Sequence, residues 1–161
     1  MPLRSLVLRF LSVLSLAVWV GGFTFYSAVV IPVLHDVLGS LDTGYVTQRV
    51  TDFLNVAGVA SVSVWWFAVW AERSLGSARA RRLRLGSLAG TTLLLVLLVI
   101  LHRVMDRRLE TGSLRGFYPL HRAYLIVSTA QWFLNLGVVA ASLVLWGEGP
   151  VKSESAQPHQ A

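Results

Sequence analysis

The chain has 161 residues, of which 55% are apolar and only 14% charged, against about 25% charged in an ordinary soluble domain. Its mean hydropathy of +0.63 is too high for a soluble fold. The lack of cysteine excludes disulfides, iron–sulfur clusters, thiolate zinc sites and cysteine nucleophiles. The net charge of +6 is distributed by segment in a way that argues against nucleic acid.

Four runs contain no Asp, Glu, Lys, Arg or His: Phe10 to Leu34, Phe53 to Ala71, Leu85 to Leu101 and Ala123 to Gly147, of 25, 19, 17 and 25 residues. A hydrocarbon core of about 30 Å takes about 20 helical residues at 1.5 Å each. Little chain is left for anything else. The expected fold is therefore all-α: a polytopic membrane protein, with a four-helix up-down bundle over residues 1–147 and spans at about 8–34, 53–72, 85–102 and 120–147.

The first run follows Arg4 and Arg9 and passes through Trp19, Gly21, Gly22 and Tyr26 without an A-x-A-like site. A cleaved signal has an apolar stretch of only about 7–15 residues, so this run reads as a retained span. Residues 43–52 run into the second span without a Pro or a late Gly to break them. Between the second and third runs crowd Arg73, Arg79, Arg81, Arg82 and Arg84, the pattern of a cytoplasmic loop. Arg79, Arg81, Arg82 and Arg84 are also candidate contacts for anionic lipid headgroups, at about 1 kcal/mol per basic residue near the surface. The side holding both termini and this loop has eight Lys and Arg, against six on the other. Both termini are thus expected to be cytoplasmic, in the inner (plasma) membrane.

The third span carries Gly86 and Gly90, a spacing that lets helices approach closely. Thr111 to Gly116 reads as a turn, and Pro119 suits the first turn of the fourth helix. Residues 148–161 are polar and hold two prolines, as a disordered cytoplasmic tail would, and His159 within it is expected to be inert.

The fourth span is the most informative. His121, Tyr124, Ser128, Gln131 and Asn135 step by three and four residues along one helical face. Polar side chains this deep point into a bundle rather than at lipid. Tyr26 on the first span lies at a depth similar to Gln131 and is a plausible partner for it. Two accounts fit Tyr26, Ser128, Gln131 and Asn135: interhelical hydrogen bonding, or a polar pocket open to the outer surface.

Three histidines gather near that outer boundary: His35, His102 and His121, with Asp106 one turn beyond His102. Such donors suit a divalent metal such as zinc or Cu(II); the plain alternative is a wet helix rim. Haem is the weaker cofactor reading, since no second histidine pair lies deeper in the bundle. Nothing else suggests catalysis. The sequence has no Gly-rich phosphate loop, no H-E-x-x-H and no charge within any run.

Trp19, Gly21, Gly22, Phe23, Phe25 and Pro32 fit a W-x-G-G, aromatic, V-x-P pattern, and Phe117, Leu120, His121 and Arg122 open helix four. In these motifs the chain resembles a small bacterial four-helix membrane family classed as a domain of unknown function. That family is distantly similar to a eukaryotic transmembrane protein associated with platinum resistance. W-x-G-G also resembles the opening of copper-resistance D membrane domains. The family has small residues shortly after the histidine where this chain has Tyr124 and Leu125. The resemblance implies a fold more than a function.

The leading functional expectation is a non-catalytic membrane protein whose outward-facing polar pocket binds or passes a small solute or metal ion. The alternative is a structural or accessory subunit in a membrane complex, with a membrane protein partner or a second copy of itself. A haem electron-transfer protein comes third. Membrane lipids are the common partner in all three.

Overall fold

The computed structural model describes residues 3–73, 77–110 and 117–148. The expected turn at Thr111 to Gly116 and the tail beyond Glu148 lie outside them. The chain is α1 (Leu3–Phe25), a π-helical turn (Tyr26–Val30), α2 (Ile31–Ala71), α3 (Ala78–Glu110) and α4 (Phe117–Glu148). Four helices are long and apolar enough to cross a membrane: span one, Leu3–Gly39; span two, Asp42–Ala71; span three, Ala78–Leu109; and span four, Tyr118–Gly147. The protein is an all-α four-helix bundle.

Spans one and two are joined by a break inside α2. Gly39 has φ 76° and ψ 178°, a conformation that only glycine adopts without strain. From there the two helices run antiparallel, pairing Trp19 with Gly58, Ser15 with Ser61 and Arg9 with Glu72. Pro32 lies in the first turn of α2, directly after the π-helical turn. A proline inside a helix removes one backbone donor, and a local change of hydrogen-bond step absorbs the mismatch.

Burial is inverted relative to a soluble protein. Phe10, Phe53, Leu93 and Phe133 are between 63% and 74% exposed, whereas Ser12, Ser61, Thr91 and Ser142 are at 0–1%. Lipid is as apolar as leucine, so such a bundle gains by turning polar and small groups inward. Leu16, Trp19, Val62, Trp65, Leu88, Leu95 and Val138 form an apolar core among them.

Close approach depends on glycine at two contacts. A Cβ on Gly58 would stand 2.6 Å from the Trp19 ring, and one on Gly90 would stand 3.2 Å from Leu134. The glycine spacing of the third span thus serves packing within the chain at Gly90. Gly86, its partner in the motif, faces open space.

Candidate functional site

Polar chemistry collects at three levels of the bundle. At the end where span two begins, Asp52, His102 and Asp106 each offer one ligand atom, all within 4.8 Å of one another. His102 Nε2 lies 3.3 Å from Asp52 Oδ1 and 3.4 Å from Asp106 Oδ2. Helical periodicity puts His102 and Asp106 one turn apart on the same face of α3, and antiparallel packing brings Asp52 alongside from α2. His102 is 3% exposed, and its Nε2 satisfies no hydrogen-bond geometry with either carboxylate. The Asp52 side chain is 38% exposed, and Arg103 reaches it at 3.9 Å. One face of the cluster is therefore wet.

Two of the separations equal the ligand spacing around a small tetrahedral ion. Zinc bonds to imidazole nitrogen and carboxylate oxygen at about 2.0–2.2 Å, which puts neighbouring ligand atoms about 3.4 Å apart. An octahedral ion at the same bond length would bring them to about 3.0 Å. Two of the three edges match the tetrahedral value.

The cluster differs from the set expected from sequence. It keeps His102 and Asp106, gains Asp52, and does not include His35 or His121, both of which are exposed. The π-helical turn and Gly39 carry His35 along a helix that extends beyond the first charge-free run. Asp52 left a signal in the sequence. It immediately precedes the second charge-free run, as His102 immediately follows the third, so antiparallel helices put them level.

At mid-depth the polar stripe of span four meets span three. The Thr91 hydroxyl donates to Asn135 Oδ1 at 3.2 Å, and Gln131 Nε2 donates to the Thr91 carbonyl at 3.4 Å. The Tyr26–Gln131 pairing expected from depth is replaced by this contact. Helices three and four share the most extensive interface, while span one meets span four only lightly, through Trp132 Nε1 donating to Thr24 at 3.1 Å. Tyr26 is buried, and its hydroxyl has no hydrogen-bond partner among the described residues. Ser128, Gln131 and Asn135 line a narrow groove of about 30 Å³, together with Asn55, Tyr124 and apolar side chains such as Trp19 and Leu98. Asn55 and Leu98 each lie about one turn from Asp52 and His102, so the groove approaches the carboxylate cluster from below.

At the opposite end, one carboxylate holds all four helices. Glu72 accepts from Arg9 Nε at 2.6 Å, from Arg84 Nη1 at 2.8 Å and from Trp146 Nε1 at 2.9 Å. Trp65 stacks on Trp146 with centroids 6.3 Å apart. Burial alone would push the Glu72 carboxyl up, but the hydrogen bonds from Arg9, Trp146 and Arg84 outweigh it and hold it below the usual range. Arg84, expected among the headgroup contacts, is 2% exposed and turned into the bundle. Its carboxylate partner draws it inward, while Arg79, Arg81 and Arg82 stay exposed.

Comparison with family models, with curated proteins and with solved structures finds no match to this chain.

Proposed function

We propose that this integral membrane protein binds a divalent cation of the zinc class at Asp52, His102 and Asp106. The observation that carries the reading is the buried His102 Nε2, without a hydrogen-bond partner among the described residues and 3.3–3.4 Å from two carboxylate oxygens. Two adjacent carboxylates repel each other unless a proton or cation lies between them. Three protein ligands and one wet face leave a position for water or a solute donor. The groove below the cluster has room for water as that further donor.

The reading is of binding rather than passage. Between the cluster and the far end lie the apolar core and then two guanidiniums, which repel a cation. The arginine-rich loop supports a cytoplasmic position for that end, with the cation site facing outward across the inner membrane. The resemblance to the four-helix family bears on the fold and names no chemistry.

The test is isothermal titration of the purified chain with Zn(II). One ion per chain is expected, lost in His102→Ala and weakened at least tenfold in Asp52→Asn. His121→Ala is expected to bind as the wild type does. Affinity should fall on acidification, because a ligating imidazole must be deprotonated. Wild-type binding no tighter than that of a His102→Ala, Asp106→Asn double variant removes the metal from the account.

A further inference from the structure

Span two carries a lipid-facing stripe that changes character at its end. Val56, Val59, Phe67 and Trp70 recur at helical spacing and are all exposed. The Phe67 and Trp70 rings tilt against each other with centroids 5.9 Å apart. Arg73 continues the stripe, its Cζ 6.0 Å from the Trp70 ring centroid, a cation–π distance. Glu72, its neighbour in sequence, turns the other way and meets Arg9, Arg84 and Trp146. The carboxylate goes in and the guanidinium goes out.

Span three brings a second guanidinium to the same place. Arg81 Nη1 donates to the Arg73 carbonyl at 3.1 Å, which ties Arg81 to the end of span two and leaves its other donors uncommitted. The two guanidiniums are therefore no farther apart than about the length of one arginine side chain. Both arginines are exposed, and neither has a carboxylate partner among the described residues. Like charges fixed close together favour an anion beside them. The stripe runs from apolar Phe67 through the amphipathic Trp70 indole to two cations. A phospholipid has the same order, from acyl chain through glycerol to phosphate, and tryptophan at a membrane interface lies at headgroup level.

We propose that Phe67, Trp70, Arg73 and Arg81 bind one anionic phospholipid, its phosphate on the two guanidiniums and an acyl chain along the exposed stripe of span two. Charge complementarity selects the headgroup, and the apolar stripe leading up to it selects a lipid over free phosphate. Arg79 and Arg82 are exposed as well, but no contact fixes either of them among the described residues. They raise the local anion concentration. Arg73 and Arg81 are held in place beforehand, so they lose less freedom on binding and form the site. It lies at the opposite end of the bundle from the cation cluster and does not depend on it.

The experiment uses the full chain in neutral detergent after extensive delipidation. Dioleoylphosphatidylglycerol or dioleoylphosphatidylcholine is added, and adducts are counted by native mass spectrometry. One saturable phosphatidylglycerol per chain is expected, bound more tightly than phosphatidylcholine. The double variant Arg73→Gln, Arg81→Gln should weaken it by about tenfold or more. The double variant Arg79→Gln, Arg82→Gln removes the same charge from exposed positions and should bind within about threefold of the wild type. Neither pair touches Glu72, so both variants keep the buried contact that joins the four helices. Equal loss in the two pairs overturns the proposal and assigns the effect to the net charge of the loop. Equal affinity for the two lipids also overturns it. So does displacement of phosphatidylglycerol by inorganic phosphate, but not by sodium chloride at the same ionic strength, which would make this a site for the free anion.

Discussion

The two charged ends of the bundle differ in sign and in how tightly they close. At the arginine end, Glu72 meets three donors at 2.6–2.9 Å, and every helix contributes to the contact. At the histidine end, two carboxylates stand 3.3 and 3.4 Å from one imidazole nitrogen with no aligned hydrogen bond between them. One end is drawn together by opposite charges. The other sets two carboxylates from different helices around one imidazole, with Arg103 3.9 Å from Asp52. Removing a carboxylate should therefore have opposite consequences at the two ends.

The largest expected effect is at Glu72. Glu72→Leu leaves Arg9 and Arg84 buried without their carboxylate, which should destabilise the bundle by about 3–5 kcal/mol. Asp106→Asn in metal-free protein should cause no comparable loss, because it relieves repulsion with Asp52. Steric trapping in detergent micelles measures both. Equal losses at the two ends would refute the contrast. Glu72 also sets a pH dependence. Its folded-state pKa is held below the unfolded value, so its contribution is fully present above the unfolded value of about 4.3 and is lost as pH falls through the lower, folded one. Unfolding measured below about pH 4 should show this loss, and Glu72→Gln should abolish it.

The next effect lies in the apolar waist between the ends. Gly58→Ala puts a methyl group 2.6 Å from the Trp19 indole, which rigid neighbours cannot vacate. Overpacking of this kind costs about 1–3 kcal/mol. Gly86→Ala meets open space and should be neutral or gain up to about 1 kcal/mol from helix propensity. The pair separates a packing glycine from one that merely shares a motif. If both variants lose stability equally, helix propensity and close approach have been misassigned.

Much of this arrangement was legible in the sequence, because the boundaries of charge-free runs encode height. Arg9 and Arg84 immediately precede runs, and Glu72 immediately follows one, so an up-down bundle brings all three to one level. Asp52 and His102 are related in the same way at the other end. Height alone does not give azimuth. Gln131 was paired by depth with Tyr26, yet it meets Thr91, because the rotation of each helix depends on small residues such as Gly90 that let helices three and four close on each other. The inward turn of Arg84 was illegible for a related reason. Five arginines in one short segment look alike until one of them finds a carboxylate on a neighbouring helix.

The smallest effect belongs to the hydrogen bonds midway between the ends. Asn135→Leu removes the acceptor for Thr91 at 3.2 Å and leaves that hydroxyl free to bond its own helix. Interhelical hydrogen bonds in membranes average about 0.6 kcal/mol and reach about 1.7 kcal/mol, because chains unfolded within the membrane also find partners. Asn135→Leu should fall in that range by steric trapping, well below Glu72→Leu. It should also leave Zn(II) affinity within about twofold, since Asn135 lies more than two turns deeper than Tyr124 on helix four, whereas Asp52 comes from helix two and His102 and Asp106 from helix three. A larger change in zinc affinity would mean that the mid-depth contact sets the spacing of helices two and three at the cation site. The groove bounded by Asn55, Gln131 and Asn135 would then be part of that site rather than packing beneath it.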